Sequence, residues 1–167
     1  GYGDSANKVI EGIEYKGDLS SSSDTDFYYI TTTGKSAINV EFNSPLNTSS
    51  DYFHIFALHV DSQEKKIAAI STGSDSSFIF NADKAGTYFF GVESDEANGG
   101  SRYSNKSYGL TITNKSFLDF YEIEPNDGTN SEGIDGGPAT PIYSGRSFSG
   151  QLSTEEDVDY YSILLDK

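Results

Sequence analysis

The chain has 167 residues and a formal charge of −15, with 26 acidic residues against 11 Lys plus Arg. That balance excludes the basic footprint which nucleic-acid or anionic-membrane binding needs, and a divalent cation is the partner such a surface invites. Cysteine is absent, which excludes disulfides and thiolate metal sites, and no apolar run reaches the roughly 18 residues of a membrane-spanning helix.

Twelve Tyr and 11 Phe, set among 17 Gly and many Ser, Thr, Asn and Asp, point to short strands and tight turns rather than helices. Residues 8–19 read as a strand pair, or a bent strand, around Gly12. Residues 24–32 (DTDFYYITT) read as a strand whose alternation sends Asp24, Asp26, Tyr28 and Ile30 to one face and Phe27 and Tyr29 to the other. Residues 36–42 (SAINVEF) form a half-buried strand with Ile38, Val40 and Phe42 inward, ended by the turn signal NSPLN. The aromatic strand 51–60 is answered by 65–71 across DSQEK, and 77–81 pairs with 87–93 around DKAG. Residues 107–113 (SYGLTIT) close the unit, giving about eight evenly spaced strands and an antiparallel β-sandwich as the expected fold class.

Residues 114–121 (NKSFLDFY) then form a joint, too apolar in Phe117, Leu118 and Phe120 to be a free linker. Beyond the polar, turn-rich stretch 122–141 the chain repeats itself. Residues 12–30 (GIEYKGDLSSSSDTDFYYI) and 145–163 (GRSFSGQLSTEEDVDYYSI) superpose without a gap at a constant separation of 133 residues. Gly12 matches Gly145, Gly17 matches Gly150, Leu19 matches Leu152, and Asp24, Asp26, Tyr28 and Ile30 match Asp157, Asp159, Tyr161 and Ile163. Such a repeat implies one whole unit, residues 1–113, and the beginning of a second, residues 122–167. The abrupt start GYGDSANK and the strand-like end ILLDK read as a piece of a longer protein.

The order of residues in the second copy resembles the bacterial pre-peptidase C-terminal domain family. The resemblance rests on Glu122, Glu124, Pro125, Asn126, Asp127, Ala139, Ile142, Gly145, Gly150, Leu152, Asp157, Asp159, Tyr161 and Ile163. In the first copy, Ala85, Gly86, Thr87, Tyr88 and Val92 match the family's Ala-Gly-Thr-Tyr hairpin, and Tyr108, Leu110 and Ile112 match its closing strand. The resemblance implies a jelly-roll-like sandwich, non-catalytic, that sits beside other domains of secreted or cell-surface bacterial proteins. Its members similar to the collagen-binding domains of clostridial collagenases bind Ca²⁺ through the Glu-x-Glu-x-Asn-Asp segment and the acidic turn before the Asp-Tyr strand.

Carried onto this chain, the implied Ca²⁺ ligands are Glu122, Glu124, Asn126, Asp127, Glu156, Asp157 and Asp159. Glu122 and Glu124 share one side of an extended segment, which Pro125 keeps from becoming helix. Gathering this many carboxylates without a cation costs several kcal/mol per unpaired ion, whereas Ca²⁺ accepts six to eight oxygens and suits the set better than Mg²⁺. A long insertion between Asp127 and Ala139 departs from the family pattern. A second, smaller set in the first copy is Asp4, Asp24 and Asp26, with Asp4 as the counterpart of Asp127; the alternative is that Asp24 and Asp26 begin a strand and bond turn amides.

Catalytic constellations fare worse. His54 and His59 stand five apart in one strand and so face opposite ways, and no Gly-x-Ser-x-Gly elbow is present. A carboxylate pair for glycoside hydrolysis stays open at this stage, although ligation accounts better for the Asp-x-Asp pair. Two other roles stand beside the calcium module. One is an adhesin-like module gripping polysaccharide or protein through Tyr28, Tyr29, Tyr103, Tyr108, Tyr160 or Tyr161. The other is a secretion-related C-terminal extension removed from an enzyme. In every case the expected partners are neighbouring domains of the same polypeptide and, for the adhesin, an extracellular polymer.

Overall fold

The alternating aromatic and β-branched pattern is realised as two facing sheets in the computed structural model, which describes residues 6–59, 66–82, 84–116, 139–150 and 158–165. Among the described residues up to 115 there are nine strands: β1 (Asn7–Lys8), β2 (Tyr15–Gly17), β3 (Thr25–Thr32), β4 (Ser36–Asn43), β5 (Thr48–His59), β6 (Lys66–Gly73), β7 (Ser76–Ala82), β8 (Gly86–Ser94) and β9 (Tyr108–Lys115). One sheet has the order β1-β3-β8-β5-β6 and the other β2-β9-β4-β7. All pairings in these sheets are antiparallel except β1 with β3, which is parallel. The protein is an all-β sandwich.

Period-two alternation places the core between the sheets. Tyr28, Ile30, Phe53, Ile55, Tyr88, Phe90 and Val92 come from the five-stranded sheet, and Ile38, Val40, Phe42, Phe78, Phe80, Tyr108, Leu110 and Ile112 from the other. Each such side chain, fully buried, contributes about 1.5–3 kcal/mol relative to exposure. Phe42 stacks on Tyr108 at 5.5 Å, and Phe53 meets both rings.

Two expectations need correction. Residues 8–19 are not a strand pair. Gly12, at φ 74°, turns the chain from β1 in one sheet to β2 in the other, so the two short strands lie on opposite layers. The segments 77–81 and 87–93 are not a hairpin either: β7 pairs with β4, while β8 pairs with β3 and β5. The link between them arches from one sheet to the other, held where Thr32 Oγ1 and Tyr88 Oη donate to the Lys84 carbonyl at 3.2 and 3.0 Å. A short polar link looks alike in sequence whether it closes a hairpin or crosses layers. The outer face of the five-stranded sheet carries a second, smaller apolar layer. Phe56, Leu58, Ala69 and Phe89 are buried there, with Phe27 and Tyr29 packed against them. The expected faces of β3 are otherwise as read, Tyr28 and Ile30 entering the core and Phe27 and Tyr29 this outer layer.

The repeated phrase is repeated in structure. Strands β10 (Thr140–Ile142) and β11 (Tyr161–Ile163) pair in parallel, with Thr140 opposite Tyr161 and Pro141 opposite Ser162. Moved back by the 133-residue separation, these are the β1–β3 partners Asn7 with Tyr28 and Lys8 with Tyr29. Gly145 has φ 76° against 74° for Gly12. The turn bond from Ile13 N to Ile10 O recurs as Arg146 N to Tyr143 O, both 3.2 Å.

Candidate cation-binding site

In the first copy, the acidic pair ends in protein hydrogen bonds. Asp24 closes the serine turn: its Oδ2 accepts from Ser20 N and Ser20 Oγ, each at 2.8 Å. Those two donors hold its carboxyl below the usual carboxylate range. Asp26, one pleat further on and half-buried, points inward, where its Oδ2 accepts from Tyr108 Oη at 2.6 Å. The Tyr108 proton being committed to Asp26, the Tyr28 hydroxyl donates to Tyr108 Oη at 2.9 Å. This Tyr28–Tyr108–Asp26 chain crosses the sandwich from β3 to β9 and back. Burial raises the Asp26 carboxyl, opposed by the Tyr108 hydrogen bond and reinforced by the charges of Asp24 and Asp18. Burial likewise raises both tyrosines.

Gly17 is required beside this chain. A Cβ on it would lie 2.5 Å from Tyr108 Oη and 2.6 Å from Tyr28 Oη, so the glycine of the repeated phrase makes room for the two hydroxyls.

Of the residues expected to ligate Ca²⁺, Asp4, Glu122, Glu124, Asn126, Asp127, Glu156 and Asp157 lie outside the described residues. Asp24 and Asp26 adjoin in the fold, but one carboxylate turns to the serine loop and the other to Tyr108. Among the described residues, no three Asp, Glu or His side chains gather into a metal-binding group. Asp159 is the counterpart of Asp26 and is half-buried; its Oδ1 is enclosed and, among the described residues, meets no hydrogen-bond donor. A carboxylate oxygen withdrawn from water without a donor fits an oxygen-only cation set such as Ca²⁺ requires.

His54 has a structural employment that its sequence did not advertise. It is buried on the outer face, with Nδ1 3.0 Å from Ser71 Oγ and Nε2 3.0 Å from Lys66 Nζ. The ammonium can only donate, so Nε2 is the acceptor and Nδ1 carries the proton to Ser71. Burial first, and then the Lys66 charge, lower its pKa to about 4. His59 packs at 4.7 Å on Tyr88, on the core side, so the two histidines do face opposite ways.

The aromatics divide sharply. Tyr28 and Tyr108 are buried in the core and offer nothing to a polymer. Tyr29 lies over Phe89 at 5.7 Å in the outer layer. Tyr103 donates its hydroxyl to the Leu19 carbonyl at 2.7 Å and, with Leu46, Thr48, Tyr52, Asn105 and Lys106, lines a shallow open groove at one end of the sandwich. Tyr52 was not among the expected binding residues; its place in the groove depends on a loop some fifty residues away, for which the sequence carries no signal.

No protein-family model matches the chain. Among solved structures, it is similar to the pre-peptidase C-terminal domain of collagenase from Bacillus anthracis, at 23% identity and TM-score 0.48, over 64% of this chain and 93% of that one. It is also similar to Aeromonas hydrophila PliG, a periplasmic inhibitor of g-type lysozyme, at 13% identity and TM-score 0.49, over 66% of this chain and 96% of that one. The VP2 subviral particle of infectious bursal disease virus aligns with 59% of this chain and 28% of its own, at 10% identity and TM-score 0.31.

Proposed function

We propose that this chain is a non-catalytic accessory β-sandwich module of a secreted or cell-surface bacterial protein, present as a tandem repeat and stabilised by Ca²⁺. The observation that carries the reading is the register of β10–β11. It reproduces that of β1–β3 residue for residue, together with the left-handed glycine and its turn bond. A unit that recurs with its backbone geometry intact is built to be stacked beside its neighbour. The described residues contain no helix long and apolar enough to cross a membrane.

Glu122, Glu124, Asn126, Asp127, Glu156, Asp157 and Asp159 would hold the ion in this reading, and the enclosed Asp159 Oδ1 supports it. The bound ion would supply charge neutralisation for the acidic cluster and a fixed joint ahead of the second copy. The first copy's Asp4, Asp24 and Asp26 make a poorer set, because Asp24 and Asp26 already spend an oxygen each on protein donors. An adhesin-like role would use the Tyr52–Tyr103 groove or the exposed Tyr160 and Tyr161 rather than the core tyrosines.

The test is thermal melting of EDTA-treated protein against added CaCl₂. A ligand at a hundred times its Kd stabilises the bound state by about 2.7 kcal/mol, so the melting temperature of the unit that holds it should rise by several degrees. Asp159→Asn should remove most of that rise. A melting curve indifferent to millimolar calcium would dispose of the cation.

A further inference from the structure

Lys66 opens β6 and reaches across β5 toward the turn that follows β8. Its Nζ lies 3.0 Å from His54 Nε2, 3.5 Å from Glu93 Oε1 and 3.4 Å from Asn98 Oδ1, and 4.4 Å from the centre of the Phe56 ring. An amine, a carboxylate and a primary carboxamide thus meet at one point. Each is held there. The Glu93 side chain is only 15% exposed, and its other oxygen accepts from Thr25 Oγ1 at 3.5 Å. Asn98 N donates to the carbonyls of Ser94 and Asp95 at 3.3 and 3.2 Å, and Asp95 Oδ2 accepts from Ser101 N at 3.0 Å, so the turn carrying the carboxamide is tied on both sides of it.

Each partner has a task in one reaction. Glu93 Oε1 is placed to take a proton from Lys66. The neutral amine keeps one N–H on His54 Nε2, which burial and the Lys66 charge hold unprotonated above about pH 4, and its lone pair is free to meet the Asn98 carboxamide. An Asn-Gly pair has a competing reaction, attack by the following backbone nitrogen. Here Gly99 N is engaged with the Glu96 carbonyl at 3.2 Å, which restrains it. Asn98 is exposed, so a leaving group has an open way into solvent.

We propose that Lys66 and Asn98 form an intramolecular isopeptide bond, with Glu93 as the proton carrier. The Lys66 nitrogen attacks Asn98 Cγ, and the new C–N bond forms as the Cγ–Nδ2 bond breaks. A further amine proton passes to Nδ2 and Glu93 returns the proton it took, so the nitrogen leaves as ammonium and Glu93 ends as it began. The step is redox-neutral. Its product is a secondary amide that ties the start of β6, at the end of its sheet, to the turn after β8, across the intervening β5. Closing the loop from 66 to 98 covalently lowers the entropy of the unfolded chain.

The test is intact-mass spectrometry of the folded 167-residue chain after prolonged incubation at neutral pH. The mass should fall by that of one ammonia. Trypsin should then release residues 66–84 and 85–102 as one branched peptide, because cleavage after an acylated Lys66 is blocked. Lys66→Arg and Asn98→Ala should keep their full mass, and Glu93→Gln should lose ammonia at least about a hundredfold more slowly. The cross-linked chain should melt several degrees above Lys66→Arg. An unchanged mass in the folded chain overturns the inference. So does conversion of Asn98 to Asp or isoaspartate in place of the branched peptide, which would assign the carboxamide to the Asn-Gly reaction. Cross-linking as fast in urea as in the folded chain overturns it too, since the folded geometry would then not be its cause.

Discussion

Removing the Tyr108 hydroxyl tests the cross-sheet chain at its middle link. Tyr108→Phe leaves the half-buried Asp26 without its donor and strands the Tyr28 hydroxyl, so a loss of about 1.5–3 kcal/mol is expected in urea unfolding, with an unchanged m-value. Tyr28→Phe removes only the terminal donor and should cost about 1 kcal/mol. His54 offers a second residue-level test, in pH. Its folded pKa of about 4 lies below the ordinary 6.5, so the unfolded chain takes the proton first. Its contribution is whole above pH 6.5, declines as pH falls through that window, and is gone below about 4, a span on the order of 3 kcal/mol. The charges bearing on it are Lys66, which depresses the pKa further, and Asp95, which opposes. In His54→Gln the difference in unfolding free energy between pH 7 and pH 4 should shrink by that amount, on top of whatever slope the carboxylates give. Neither role was legible in the sequence. That Asp24 would serve a turn could be read from its serine-rich setting, but Asp26 finds Tyr108 82 positions away, and local pattern carries no such information.

At the scale of elements, alternation revealed which residues face inward and the repeat revealed where a unit restarts. What it could not reveal was the assignment of strands to sheets. β7 and β8 each alternate well enough to pair with the other, and only packing of Phe78 and Phe80 against one layer and Tyr88 and Phe90 against the other separates them. The same holds for β1 and β2, divided by Gly12. At φ 74°, a Cβ costs about 1–2 kcal/mol even though nothing stands within 4 Å of where it would go. Gly12→Ala should therefore lower the melting temperature of the first sandwich by several degrees. Gly145→Ala, with the same dihedral in the second copy, should leave that transition where it is. Equal effects on one transition would mean that the two copies unfold as a unit.

For the whole molecule, a charge of −15 bears on how the calcium experiment is read. Any salt screens the mutual repulsion of so many carboxylates and raises stability somewhat. A specific ion must therefore act at millimolar concentration, where it hardly alters ionic strength, and sodium at matched ionic strength must fail to reproduce it. The fold class was legible from composition and turn spacing, because aromatic-rich, glycine-punctuated sequence has few other ways to bury itself. The acidic set of the second copy is an expectation of the resemblance: six of its seven members lie outside the described residues, and Asp159 alone can be placed.

The turn at Gly12 also has a mechanical meaning. It lays residues 7–17 across one open side of the sandwich, with two residues fastened to β3 and three to β9. Tension applied ahead of Asn7 would meet these few bonds one after another, peeling β1 and then β2 before any load reached the long central strands. The strap is thus the first part to yield under pull, and its release would let the chain lengthen by some tens of ångströms while uncovering the side of the core that Val9 and Tyr15 cover.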